Sequence, residues 1–458
     1  MKKHITFALL FAAALTAQAQ QGGISGEMLN QIKQSYKATP ADKAIRNALG
    51  GTSINTLALN QENRADFDTE FSHKVLSKGI TDQQSSGRCW LFTGLNVLRS
   101  QMIAKYGLDE MEFSQNYCFF YDQLEKANLF LQGIIDTSGK PMDDKMVEWL
   151  FKHPLSDGGQ FTGVSDIIEK YGLVPKSAMV ETFSSENTGK MSSLIGLKLK
   201  EFGLQLREAA AAGVKPVELE KKKTKMLGTV YRMLVLTLGE PVSTFTWSLK
   251  GGEAKEYTPI SFYREFLGND LTNNYVMLMN DPSREFYKCY EIDFDRHRYD
   301  GKNWTYVNLP IEDIKEIAIA SIKDSTMMYF SCDVGKFLDS KRGLLDPDNY
   351  DYESLMGTTF GMDKKQRIQT FSSGSSHAMT LMAVGLGKAG KPKKWMVENS
   401  WGSASGYRGH LIMTDKWFDE YMFRVVAEKK YVPAKVLDIL KQKPIRLPAW
   451  DPMFADEE

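Results

Sequence analysis

Cys89 opens an apolar run with helical spacing, while the two residues able to serve it, His377 and Asn399, lie on strand-like runs far downstream. A chain that joins these residues must fold a helical stretch against a later β stretch, with a cleft where they meet. Leu91, Leu95, Leu98 and Met102 recur at spacings of four, three and four, the stripe of a helix with a buried face. Gly87 permits a tight approach just before that helix. Cys89 therefore falls in the first turn, with its sulfur near amides that have no partner inside the helix.

The surrounding residue types have separate chemical uses. A free thiol titrates near pH 8.5 and only its thiolate attacks carbonyls well, so the nucleophile needs an imidazolium or the positive end of a helix beside it. His377, in Ser376-His377-Ala378, fits the base that forms the ion pair and later protonates a leaving amine. Asn399, in Glu398-Asn399-Ser400-Trp401-Gly402, fits the group that accepts from the imidazole and fixes its tautomer, with Trp401 covering that bond. Gln83, six residues ahead of Cys89, can donate its side-chain amide to a developing oxyanion alongside the Cys89 backbone N–H. Each of these residues alone has an ordinary structural reading: a buried thiol, a strand-end histidine, a turn asparagine. Their conjunction in the order Cys, His, Asn does not.

This pattern resembles the bleomycin hydrolase and bacterial aminopeptidase C branch of the papain-like cysteine peptidases. The resemblance runs from Ser53 to Glu458 and rests on Gln83-x-Ser-Ser-Gly-Arg-Cys-Trp90, Cys332-Asp-Val-Gly-Lys336, Glu398-Asn-Ser-Trp-Gly402 and Leu447-Pro-Ala-Trp-Asp-Pro-Met453. Secreted papain relatives carry a disulfide-bonded cysteine three residues before the nucleophile; here that position is Ser86, as in the bleomycin hydrolase branch. The resemblance implies an α+β, papain-like two-subdomain fold, with a helical half and a β half, a helical insertion, and arms at both ends. It also implies that Gly158 and Gly159 line the cleft, where a side chain would block an extended substrate backbone; a plain interhelix turn is the alternative. A homohexamer with its active sites facing an internal chamber is expected on the same ground.

The carboxyl-terminal segment bears on specificity. Two prolines between Leu447 and Glu458 exclude a regular helix, yet Trp450, Met453 and Phe454 are costly to expose, which predicts docking. In the resembled branch this tail lies in the cleft and its terminal carboxylate holds the substrate's free amino group. Glu458 would be that anchor, with Asp456 and Glu457 adding negative charge, unless the last residue is trimmed.

Composition narrows the rest. Residues 1–19 read as a secretory signal: Lys2 and Lys3, an apolar run from Ile5 to Leu15, then Ala17-Gln18-Ala19. That run is too short to span a bilayer, so no membrane span is expected after cleavage, and the protein is expected to be periplasmic or secreted. Removing the segment leaves 55 basic and 57 acidic residues, which gives no electrostatic case for nucleic acid. Four cysteines (Cys89, Cys118, Cys289, Cys332) make no disulfide framework in a chain of 458 residues.

The domain reading places an N-terminal arm at 20–52, the helical half at 53–189, the helical insertion at 190–284, the β half at 285–432 and the C-terminal arm at 433–458. Helices are expected at Met146–Phe151, Val164–Tyr171, Lys198–Ala212, Val217–Leu238 and Ile311–Ile322, and strands at Met327–Cys332, His377–Val384, Lys394–Glu398 and Gly409–Met413. The lysine run Lys221-Lys222-Lys223 is partly neutralised by Glu218 and Glu220 and reads as a solvated helix face. Gly385, Gly387 and Gly390 match a dinucleotide-loop spacing, but a strand rather than a helix follows, so a hairpin is predicted. Asp346-Pro-Asp-Asn-Tyr-Asp351 lacks the glycine of a calcium loop, and no zinc motif is present, so neither metal nor cofactor is expected. The expected activity is that of an aminopeptidase acting on peptides with free amino termini. The alternatives are an endopeptidase or amide hydrolase whose tail is displaced, and a binding protein without catalysis.

Overall fold

The computed structural model describes residues 22–63 and 68–453, which divide into two compact units. The smaller comprises 22–59 with 351–358. Its helices Gly26–Ser35 and Pro40–Leu49 start at side-chain caps, Ser25 and the Thr39–Asp42 capping box, and neither buries a residue. The segment expected as an arm is thus helical. Helix Ile54–Ala58 joins Tyr352–Met356 through the Tyr352 hydroxyl, which donates to Asn55 Oδ1 at 2.9 Å.

The larger unit begins with helices. Helix α1, Cys89–Tyr106, buries nearly all of its first three turns, as a helix surrounded by protein must. It ends at Gly107, whose left-handed conformation (φ 59°) lets its N–H reach Ile103 O. Helices α2 (Gln115–Asp136) and α4 (Phe161–Tyr171) pack against it, and α3 (Lys145–Lys152), α5 (Thr188–Ala211) and α6 (Pro216–Leu238) pack in turn on α2. Leu91, Leu95, Leu98 and Met102 join Phe119, Phe120, Ile134, Val164, Leu199 and Leu234 in one apolar cluster. Each such side chain contributes roughly 1.5–3 kcal/mol when fully buried. Helix α5 starts ten residues before the expected Lys198, because Met191 and Ile195 continue the buried stripe across Gly189 and Gly196.

The rest of this unit is organised by a twelve-stranded sheet among the described residues. Its strands are β1 (His73–Lys74), β2 (Tyr275–Met279), β3 (Lys288–Ile292), β4 (Thr305–Asn308), β5 (Met328–Cys332), β6 (Leu338–Asp339), β7 (Leu344–Leu345), β8 (His377–Leu386), β9 (Pro392–Glu398), β10 (His410–Thr414), β11 (Met422–Glu428) and β12 (Ile445–Leu447). The order is β12-β3-β4-β2-β11-β5-β8-β9-β10-β7-β6, with β1 beside β8. Strand β8 therefore lies inside the sheet, antiparallel to both β5 and β9. All its residues except Leu386 are buried, as a strand covered on both faces requires. Helices α7 (Ile311–Lys323) and α8 (Asp415–Tyr421) help to bury a second apolar cluster, which includes Met379, Leu381, Trp395, Trp417 and Phe418. Gly387 and Gly390 form the β8–β9 hairpin turn, with Gly387 N–H donating to Lys391 O at 2.8 Å. Among the described residues, no helix is long and apolar enough to cross a membrane.

Candidate active site

Cys89 is the first residue of α1, and the preceding Arg88 makes no side-chain cap, so no side chain competes for the amides of the opening turn. The thiol is buried, and its sulfur accepts the Ala378 N–H at 3.4 Å. The nucleophile thus meets the start of β8, whose first residue is His377. Register fixes His377: it stands opposite Cys332 on β5, and Ala378 stands opposite Ser331. Its Nε2 lies 2.8 Å from Asn399 Oδ1, and its ring centroid lies 4.7 Å from that of Trp401. Because the Asn399 oxygen also accepts the Ser400 N–H at 2.8 Å, it acts as an acceptor, and Nε2 must be the protonated nitrogen. That tautomer leaves Nδ1 as the nitrogen able to take a proton from a thiol.

Gln83 is tied into the same structure. Its N–H donates to Ser400 O at 2.8 Å, and its Oε1 accepts the Ser400 hydroxyl at 2.6 Å. Its Nε2 donates to Ser86 O at 2.6 Å, which uses one of two amide hydrogens. Asp82 pairs with Trp401, and Gly402 N–H donates to Thr81 O at 3.1 Å, so residues 81–83 and 400–402 run together as a short antiparallel ribbon. Gly402 (φ 76°) has no room for a Cβ, which would lie 2.7 Å from Asp82 Oδ2. The amide donor and the imidazole's orienter are therefore one mechanical piece. Ser400 is the hinge of that piece, since both its carbonyl and its hydroxyl bond to Gln83.

A buried ion pair bolts this piece to the nucleophile helix. Arg99 Nη2 donates to Glu398 Oε1 at 2.6 Å and to Gly79 O at 3.2 Å, while Ser77 Oγ donates to the other Glu398 oxygen. Glu398 immediately precedes Asn399, and Arg99 lies on α1. Neither residue was singled out from sequence, since a glutamate and an arginine this far apart show no local pattern.

Gly158 and Gly159 sit between α3 and α4 and are buried. The Gly158 carbonyl accepts Lys126 Nζ at 2.5 Å. A Cβ on Gly159 would lie 2.3 Å from His297 Cε1 and 3.0 Å from Trp90 Cδ2. Glycine is thus required at 159 by internal packing, whatever a substrate demands. His297 itself pairs with buried Asp122 and meets the Trp90 ring edge-on at 4.7 Å. Lys126 on the other Asp122 oxygen (3.0 Å), together with His297, holds the Asp122 carboxyl below its ordinary range despite burial.

The C-terminal segment docks as far as it is described. Asp451 pairs with Arg284, Met453 is buried, and the Met453 carbonyl accepts from Arg424. Trp450 stays 38% exposed, with Lys145 Nζ 4.4 Å from its ring centroid. Pro452 O lies 3.8 Å from where a Cβ on Gly374 would be, three residues before His377. Phe454, Asp456, Glu457 and Glu458 lie outside the described residues, as does the signal-like segment 1–19.

Comparison with known proteins agrees with this geometry. Residues 23–454 match the model of the peptidase C1-like family. Bleomycin hydrolase of Homo sapiens is 37% identical over 450 residues, covering 94% of this chain and 98% of that protein. Aminopeptidase C of Lactobacillus delbrueckii subsp. lactis is 34% identical over 442 residues, covering 94% and 98%. The crystal structure of PepW from Lactobacillus rhamnosis HN001 superposes with a TM-score of 0.90 at 35% identity, covering 95% of this chain and all of that one.

Proposed function

The chain belongs to the peptidase C1-like family and is a cysteine peptidase acting as an aminopeptidase, and from that premise we propose that it works through an acyl-enzyme on Cys89. His377 takes the thiol proton, and the ion pair is favoured by the helix start that carries the sulfur. The thiolate attacks the first peptide carbonyl, and the oxyanion is met by the Cys89 N–H and the second Gln83 amide hydrogen. Collapse expels the new amino terminus, protonated by His377. Water, deprotonated by the same imidazole, then releases the amino-terminal residue from the thioester. Asn399 keeps the ring in one tautomer throughout. The observation that carries this reading is the His377–Asn399 bond of 2.8 Å beside a thiol that accepts from Ala378.

Gly158 and Gly159 present backbone to the extended substrate in this reading. The docked course of residues 447–453 past Gly374 supports a tail that closes one side of the cleft, with the Glu458 carboxylate receiving the substrate's amino group. Export through residues 1–19 and a homohexamer belong to the same reading. Leu197 on α5 and Leu236 on α6, 67% and 68% exposed, support a subunit contact there. The test is hydrolysis of matched peptides with free and acetylated amino termini, together with labelling by a thiol-directed epoxide. Cleavage of the free series only, with labelling lost in Cys89→Ala, is expected. Equal cleavage of both series would favour an endopeptidase, and an unlabelled wild type would favour a binding protein.

A further inference from the structure

The turn that leads into Cys89 is fastened at three points to residues outside it. Ser85 forms a parallel bridge with Asn187. Arg88 Nη1 pairs with Glu181 Oε2 at 2.8 Å, with the Arg88 side chain fully buried. Between these two, Gly87 N–H donates to Asp157 Oδ2 at 2.8 Å, and the Thr188 hydroxyl donates to that same oxygen. Trp90 Nε1 donates to the Asp157 carbonyl at 2.9 Å, so Asp157 grips the turn on both sides of the nucleophile. The fit is close: a Cβ on Gly87 would lie 2.5 Å from Asp157 Oδ1. Thr188 is the first residue of α5 and is buried. No covalent link does this work, because Ser86 occupies the turn and none of the four cysteines forms a disulfide.

We propose that the Asp157 carboxylate is a positioning residue for the reaction, setting the Gly87–Cys89 turn so that its amide and Gln83 converge on the oxyanion, and that Thr188 holds it there. The role follows from hydrogen-bond geometry. The Gly87 peptide is two residues from the Cys89 amide, and a donor pinned to a fixed acceptor cannot rotate. Thr188 supplies a second donor to one oxygen, which fixes the carboxylate's rotation as well as its position. The inference rests on Cys89 and Gln83 having the roles assigned above.

Asp157→Ala, Asp157→Asn and Thr188→Val separate the possibilities. The measurements are kcat and KM on a free-amino peptide, inhibition by a peptide aldehyde whose hemithioacetal oxygen occupies the oxyanion position, and alkylation of Cys89 by iodoacetamide, which forms no oxyanion. Asp157→Ala is expected to lower kcat about a hundredfold with KM within about twofold, the loss typical of a displaced oxyanion donor. Aldehyde affinity should fall in parallel, while alkylation changes less than about threefold. Asp157→Asn keeps an acceptor for Gly87 and is expected to recover most of the loss. Thr188→Val, which preserves shape, should show a smaller loss with the same split, and it decides the matter if Asp157→Ala does not fold. Unchanged kcat and aldehyde affinity in the folded variants, or alkylation that falls by the same factor as kcat, overturns the proposal. A wild-type enzyme that stays active after Cys89 alkylation would instead remove the catalytic assignment, and this inference with it.

Discussion

Cys89 stands on a turn held by side-chain hydrogen bonds and ion pairs, to Asp157, Ser400 and Glu181, whereas His377 stands on a strand held by backbone ladders to β5 on one side and β9 on the other. The two constructions fail differently. A ladder repeats the same bond many times, and β8 adds a nearly continuous buried face, so no single side chain sets its position. The turn depends on a handful of unlike contacts, each made once. Activity should therefore be fragile to substitutions around the nucleophile, and stability fragile to substitutions behind the base.

The largest expected effect is on the turn side. Gln83→Ala removes an oxyanion donor and should cost about 2.7–4 kcal/mol of transition-state stabilisation, read as a fall in kcat that persists at temperatures where the variant is fully folded. Its counterpart is Met379→Ala, two residues past His377 and fully buried. That truncation should cost about 2–5 kcal/mol of folding stability, read by denaturant titration, with kcat nearly unaffected in the folded enzyme. A large loss of kcat in Met379→Ala would break the contrast.

The end of the C-terminal arm sharpens it, since beyond β12 residues 448–453 are again fastened by single side chains. Arg284 pairs with Asp281 and Asp451, both largely buried, so Arg284→Ala leaves two uncompensated carboxylates and should weaken arm docking by about 3 kcal/mol. The expected readout is a lower ratio of free-amino to acetylated-peptide cleavage; an unchanged ratio would separate the arm from specificity.

A further effect concerns the segment leading to His377, where Lys364 is one of several side-chain tethers. Its ammonium donates to Asn280 Oδ1 at 2.6 Å, Met422 O at 2.6 Å and Asp419 O at 3.0 Å. Burial, only partly offset by Glu420 and Asp419, lowers its pKa to about 7. Between that value and the ordinary lysine value of about 10.4, the unfolded chain binds the extra proton, so this group's contribution to stability rises with pH across the window. The difference in urea midpoint between wild type and Lys364→Met should move in favour of the wild type from about pH 7 to 10; a difference that moves the other way would contradict the sign.

What sequence made legible follows the same division. Cys89, His377, Asn399 and Gln83 sit in short motifs whose residue types announce their chemistry, and the helices and strands around them follow from apolar spacing. Ser400, Asp157, Arg99 and Glu398 were not legible, because each acts through a partner far away in the chain and no periodicity encodes such a pairing. Gly159 shows the limit from the other side. A glycine beside a cleft reads as room for substrate, but the space where its Cβ would be is filled by His297, a residue whose location only the fold reveals.

The lack of a disulfide among the four cysteines has a practical corollary. A thiolate enzyme needs reducing conditions to keep its nucleophile from oxidising, and a strong enough reductant opens a disulfide that braces the nucleophile. Here the brace is a carboxylate against a peptide N–H, which no electron donor can open. Strong thiol reductants should therefore restore a Cys89 oxidised to sulfenic acid or a mixed disulfide without loosening the turn beneath it.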